Sequence, residues 1–360
     1  MTAIGRPTAP DVVDVVDVVA LGESMVAFLP SRPGRLADVP SFDRAIGGAE
    51  SNVVCTLAAA GHSARWVGRV GADGFGDHLV ESIGTYGVDV GFVRRDPGRP
   101  TGIYFRTAGD RATDAHEVAY YRAGSAASAM TVGNTDLDAV RAGRILHLSG
   151  ITAALSEDCL GLVRELTAPG AGRPLVSFDV NHRPGLWRDA DGPRVLLELA
   201  RGADIVFVGD DEAREAWGLH GARAIRRALP EPEIVVVKQG GHGATALGRD
   251  TGGARRDATG GATFEPALNV DVVAAVGAGD AFAAGFLSAT LRRLPVRDRL
   301  RHGHLMAAAA LTVPGDLATP PARDHADRLA ALDDTGWGTL RLGPGWTEAD
   351  TRAEEEVRTP

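Results

Sequence analysis

The chain has 360 residues, 44% of them hydrophobic and 24% charged, with a formal net charge of −9. That suits one α/β domain large enough to bury a sizeable core. The acidic balance, with no long Lys/Arg run, argues against binding nucleic acid through phosphate neutralisation, and no apolar run reaches the length of a membrane span. Two cysteines, Cys55 and Cys159, make neither a disulfide framework nor a zinc motif, so a reduced, cytoplasmic setting is expected. The first residues lack a basic segment followed by an apolar one, and no secretory leader is expected there.

In chain order, residues 1–14 read as a disordered arm and 15–21 as a buried strand. Further strands are expected at 64–69, 144–149, 175–180, 204–208 and 234–238, where β-branched residues cluster. Helices are expected at 50–60, 75–87, 156–167, 192–201, 211–217, 221–228, 278–293 and 300–313. This alternation predicts an α/β fold with a central, mainly parallel sheet and helices on both faces. Segments 25–46 and 97–123 break the pattern with short alternating runs and read as antiparallel strands of a small β lid. Residues 250–265 read as a flexible connection or hairpin. The main domain is expected to span 15–335, and 336–360 to be a charged, frayed tail.

The strongest chemical signal is Gly277-Ala278-Gly279-Asp280, a glycine-rich loop opening into an Ala-rich helix. Glycines let the backbone approach an anion, and the first N–H groups of a helix have no internal partners. Asp280 beside them could take the proton of a substrate hydroxyl, as phosphoryl transfer requires. It could equally be a helix N-cap. The sequence has no G-x-x-x-x-G-K-[ST], so this is no P-loop.

This segment resembles the second signature of the ribokinase-like (PfkB) carbohydrate kinases, and Gly47-Gly48-Ala49-Glu50-Ser51-Asn52 is similar to the first. Two signatures, in order and about 230 residues apart (positions 47 and 277), are more specific than either alone. The segments 48–52, 120–127 and 179–187 resemble the branch of 2-keto-3-deoxygluconate kinases. The resemblance implies transfer of a phosphoryl group from ATP, with Mg²⁺, to a small sugar or sugar acid. It implies Asp280 as base, with Gly277, Ala278 and Gly279 as the anion hole. Substrate contacts would be Gly47, Gly48, Asn52, Tyr104, Tyr120, Arg122, Asn181 and Arg183. An acidic sugar needs a cation, and Arg122 and Arg183 can each offer a planar fork. Singly, each residue has a bland reading: Tyr104 a strand residue, Arg183 a surface charge, Asn52 an N-cap. Lys238, Gly240 and Gly243 resemble the family's Lys-x-Gly-x-x-Gly on the nucleotide side. Glu212 resembles the Glu that holds the Mg²⁺–water network, or is an acidic first helical turn. His304 and Ala308 fall where relatives place the adenine pocket.

Three departures stand out. The signature's leading Asp and two Thr are Ala274, Ala275 and Val276; an Asn expected before Glu212 is Gly209; and His304 stands where many relatives have Asn. In relatives the leading Asp helps bind a monovalent cation, so Ala274 puts that ion in doubt, and Asp271 cannot be assumed to replace it. Three readings remain: a 2-keto-3-deoxygluconate kinase; a kinase of the same fold for fructose, ribose or a nucleoside; and a non-catalytic sugar or nucleotide sensor. Exposed lid strands would be natural pairing edges for a homo-oligomer.

Overall fold

The computed structural model describes residues 13–32, 34–107, 117–187, 191–249 and 261–348. Its strands in chain order are β1 (Val16–Leu21), β2 (Met25–Pro30), β3 (Phe42–Gly47), β4 (Ala64–Val67), β5 (Arg69–Gly71), β6 (Arg94–Asp96), β7 (Ile103–Arg106), β8 (Val118–Tyr121), β9 (Gly143–Ser149), β10 (Leu175–Asp179), β11 (Ile205–Gly209), β12 (Ile234–Lys238), β13 (Gly243–Gly248), β14 (Ala262–Pro266), β15 (Asn269–Val270) and β16 (Arg341–Leu342). Eight of them form one sheet in the order β14-β13-β12-β11-β10-β9-β1-β4. The six from β12 to β4 run parallel, and β13 and β14 extend the edge antiparallel.

Because successive strand residues face opposite sides, the sheet divides two cores. Val19, Leu21, Val206, Val208, Val235 and Val237 face one, which helices Glu157–Thr167, Gly192–Arg201, Asp210–Trp217 and Ala222–Ala228 cover. Val18, Ala20, Ile205, Phe207 and Val236 face the other, under helices Ala49–Ala59, Gly74–Thr85, Ala278–Leu291 and Val296–Leu311. The apolar strand runs follow from this burial on both faces. In such sheets ligands bind beyond the carboxyl ends of the strands, here marked by Asp179, Gly209 and Lys238.

Three expectations need correction. The lid is a four-stranded sheet, β3-β2-β7-β8, but its central pair β2–β7 is parallel, because the chain crosses through the helix Gly74–Thr85 between them. The segment 250–265, expected as a flexible connection or hairpin, joins β13 to β14, which pair as a hairpin; what needs correcting is the omission of the strand β13 itself, whose Gly/Ala/Thr composition hides it, and residues 250–260 lie outside the described set. Residues 336–348 are not a frayed tail: Trp337, Leu342 and Trp346 are buried against Leu305, Ala308 and Ala309, and β16 pairs with β15. Two tryptophans supply enough apolar area to fix a charged segment. Residues 1–12 and 349–360, parts of the expected arm and tail, lie outside the described set. Among the described residues, no helix is long and apolar enough to cross a membrane.

Candidate active site

A cavity of about 850 Å³ lies between the lid and the strand ends, lined from both sides. Its floor is the N-terminus of the helix Ala278–Leu291. Gly277 caps this helix in the left-handed region (φ 76°), where a Cβ would overlap the Asp316 carbonyl oxygen, so glycine is required on two counts. Further along, Gly285 allows close contact with the His302 backbone, and Phe286 packs edge-on against Phe207 at 5.5 Å. These contacts fix the helix against β11.

Asp280 stands in the first turn of this helix but caps nothing. Its Oδ2 accepts a hydrogen bond from Asn52 Nδ2 at 2.8 Å, which joins the two signatures. Burial pushes the Asp280 carboxyl up to about 8; the Asn52 hydrogen bond opposes this, the Asp179 carboxylate adds to it, the Lys238 ammonium opposes it, and Asp316 adds to it. A carboxyl poised near neutrality suits a general base. Asn52 is likewise no N-cap: Gly48 holds that position, and Asn52 Oδ1 is buried without a hydrogen-bond partner.

Each cation in the cavity faces an acid. Lys238 Nζ meets Asp179 Oδ2 at 2.8 Å and stands 3.5 Å from where a Cβ of Gly279 would be. Burial works against its ammonium, but Asp179 and Glu212 outweigh it and hold its pKa above the usual lysine value. Arg122 pairs with Glu23, itself held by the Ser125 hydroxyl at 2.7 Å. Arg183, half exposed at the mouth, lies 3.5 Å from Glu212. Arg106 pairs with Asp316 at 2.7 Å, both buried. Neither Arg106 nor Asp316 was singled out from sequence. Arg106 sits two residues from Tyr104 on the same face of β7, a period-2 signal that could have found it; Asp316, in a Pro-Gly-Asp turn after a helix, carried no signal beyond a turn.

The structure brings Gly47, Gly48, Asn52, Tyr104, Tyr120, Arg122, Asn181, Arg183, Glu212, Lys238, Gly277, Gly279 and Asp280 together around this cavity. Asn181 adopts φ 40°, uncommon for a non-glycine residue, with Oδ1 buried and unpartnered. Glu212 also reaches back to the Gly209 N–H at 2.8 Å, so its role as an acidic first helical turn is present whatever else it does. Burial raises its pKa.

Four predicted nucleotide residues lie outside this cavity. Gly240 (φ 57°) and Gly243 (φ 140°) shape the turn between β12 and β13. His304 and Ala308 do not line an open adenine pocket. His304 is buried, donates Nε2–H to the Glu265 carbonyl at 3.1 Å, and packs edge-on against Phe282; burial holds its pKa down to about 4, so it is neutral. Ala308 is buried under Trp337 and its cluster. Val272 and Val273 line the cavity as exposed apolar residues near Gly277. Asp271 does not reach towards the loop: its Oδ1 accepts from Arg341 Nη2 at 2.6 Å. Among the described residues no cluster of three or more His, Cys, Asp or Glu could form a metal cage.

The family model for pfkB family carbohydrate kinases matches residues 16–323. A 2-dehydro-3-deoxygluconokinase from Thermoproteus tenax is 32% identical over 323 residues, covering 88% of this chain and 95% of the relative. A probable chloroplastic fructokinase-6 from Arabidopsis thaliana is 31% identical, covering 82% of this chain and 77% of the relative. A PfkB protein from Polaromonas sp. JS666 superposes with a TM-score of 0.75 at 32% identity, covering 87% of this chain and 99% of that one.

Proposed function

The chain belongs to the pfkB family of carbohydrate kinases, and we propose that within it this enzyme transfers the γ-phosphoryl group of ATP to the C6 hydroxyl of 2-keto-3-deoxygluconate, the sugar acid also called 2-dehydro-3-deoxygluconate. The observation that carries this reading is the pair of arginines, Arg122 and Arg183, on the sugar half of the cavity. A neutral hexose has no need of them, whereas a carboxylate pairs with a guanidinium fork. Arg122 Nε is buried without a hydrogen-bond partner, so an acceptor oxygen entering the site would satisfy it.

In this reading Asp280 accepts the proton of the attacking hydroxyl, and the N–H groups at Gly277, Ala278 and Gly279 stabilise charge on the transferring phosphoryl oxygens. Asn52 orients the carboxylate of Asp280. Lys238, beside Gly279, would supply positive charge to the triphosphate. Mg²⁺ enters such sites mainly on phosphate and water oxygens, with one or two carboxylates. Asp179, whose Oδ1 is buried and unpartnered, and Glu212 fit that donor set. The ion neutralises phosphate charge when bound. Lys238, Asp179 and Glu212 would then hold and orient the triphosphate end against the anion hole.

A second reading has its own observation. Arg122 and Arg183 are matched by Glu23 and Glu212, and Arg106 by Asp316, so the cavity carries little uncompensated positive charge, which favours a neutral sugar such as fructose. Incubation with ATP, Mg²⁺ and 2-keto-3-deoxygluconate, followed by phosphorus and carbon NMR, tests the first reading. The expected product is the 6-phosphate; no phosphorylated sugar acid, with fructose converted readily, would overturn it.

A further inference from the structure

Asp316 occupies an unusual position between the two glycine signatures. Its Oδ2 lies about 3.0 Å from where a Cβ on Gly47 would be, and the Tyr104 hydroxyl would overlap that same Cβ. Its carbonyl oxygen lies against Gly277, at the cap of the helix that carries Asp280. One residue of the main domain therefore touches the end of lid strand β3 with its side chain and the anion hole with its backbone. From the lid, Arg106 on β7 donates Nη2–H to Asp316 Oδ1 at 2.7 Å, and Tyr104 donates its hydroxyl to Oδ2 at 3.3 Å.

The pair is shielded, with 5% of the Arg106 side chain and 8% of Asp316 exposed. Such a pair is costly to break, because removing one partner leaves the other charge buried. It is also the sole ion pair, among the described residues, that joins β7 of the lid to the loop after the helix Val296–Leu311. A lid that closes over a phosphoryl-transfer site excludes water and completes the geometry. Contact between lid and anion hole needs a part that touches both, and Asp316 is that part.

We infer that Arg106 is a positioning residue for phosphoryl transfer: by pairing with Asp316 it latches the lid sheet onto the loop that seats the anion hole, so that lid closure is registered at Gly277. Arg106 thus acts through Asp316 and not by its own contact with the sugar. The inference rests on the family's kinase activity and is independent of which sugar is used.

The test is the ratio of ADP released to sugar phosphate formed, with sugar and ATP KM values, in the wild-type enzyme and in Arg106→Gln, Arg106→Lys, Asp316→Asn and the double variant Arg106→Gln/Asp316→Asn. The sugar is whichever one the wild-type enzyme phosphorylates. For Arg106→Gln the expected result is a sugar KM raised tenfold or more, an ATP KM changed less than threefold, and more than one ADP per sugar phosphate as water gains access. Arg106→Lys, which keeps the charge, restores part of the coupling. Adding Arg106→Gln to Asp316→Asn costs little more, because the two act as one unit. An ADP ratio that stays at one in Arg106→Gln and Arg106→Lys overturns the inference, as does full additivity in the double variant, which would mean that Arg106 touches the sugar directly. If Arg106→Gln does not fold, the ratio in Arg106→Lys and the Asp316→Asn background decide it.

Discussion

The half of the cavity under the lid, which we assign to the sugar, and the half at the Gly277 loop, which we assign to the nucleotide, are built on different principles. The sugar half is made of side chains: Asn52, Tyr104, Arg106, Arg122 and Asn181 converge from the lid and the strand ends, mostly buried, several with unpartnered polar atoms. The other half is made largely of backbone: a left-handed cap at Gly277 and a run of small or apolar residues from Val272 to Val276. Side-chain sites specify by charge and shape, whereas backbone sites serve any ligand with the right anion. A family that keeps its nucleotide and changes its sugar needs this division. Asp280 sits where the halves meet.

The largest expected effect is at that junction. Asp280→Asn keeps the shape but cannot accept a proton, so kcat should fall by ~10²–10⁴, with both substrates still bound by calorimetry. Near-normal turnover would remove Asp280 from its role. Because the Asp280 carboxyl titrates near 8 in the folded protein, kcat/KM should fall as pH drops through that value and the base becomes protonated. The same shift sets a stability trend. A folded pKa above that of the unfolded chain means that the protonated form is favoured in the fold; that contribution is complete below about pH 4 and is lost as pH rises through 8. Asp280→Asn should therefore raise Tm relative to wild type at pH 9 and leave it nearly unchanged at pH 4, which calorimetry at the two pH values checks.

Within the sugar half, Arg122→Ala and Arg183→Ala should raise KM for sugar acids far more than for neutral sugars. A hydrogen bond to a charged group is worth about 1.5–3 kcal/mol, or roughly 10- to 150-fold. Equal losses on both substrate classes would make the arginines structural. Arg122 should also lower Tm when truncated, since Glu23 would be left buried and unpaired.

Two glycines sharpen the comparison. At Gly47 a methyl group would overlap the Tyr104 hydroxyl and crowd Asp316, so Gly47→Ala should raise the sugar KM and leave the ATP KM nearly unchanged. At Gly240 a methyl group meets open space, and only its φ of 57° opposes it, so Gly240→Ala should cost no more than about 1–2 kcal/mol of stability and little sugar affinity. Steady-state kinetics with each substrate varied in turn separates the two. The smallest effect concerns potassium. With Ala274 in place of a carboxylate and Asp271 held by Arg341, initial rates at constant ionic strength should respond weakly to potassium, and Ala274→Asp should increase the response. Strong saturable activation of the wild type would show that other ligands hold the ion.

The same division explains what could be read from sequence. Main-sheet strands and their helices were legible because burial on both faces writes continuous apolar runs, as in Ile234–Lys238. Asp280 and Asn52 were legible because the two signatures are spaced and ordered. The Asn52–Asp280 contact was not, since nothing local connects residues 228 positions apart. Asp316 escaped because a Pro-Gly-Asp turn looks like any loop. His304 was misread because a histidine in an Ala-rich helix gives no hint that Trp337, from a charged and glycine-rich segment, will cover it. β13 escaped because Gly-Ala-Thr-Ala-Leu-Gly alternates too weakly to announce a strand.

Whether the side-chain half of the cavity is built for a charged sugar is decided by one ratio: kcat/KM for 2-keto-3-deoxygluconate over kcat/KM for fructose, measured with the wild-type enzyme at saturating Mg-ATP. Differential pairing of one carboxylate with the arginines predicts a ratio on the order of 10² or more, from about 3 kcal/mol of charge-assisted hydrogen bonding. A ratio at or below one would assign Arg122 and Arg183 to holding Glu23 and Glu212 in place, with no carboxylate-binding role.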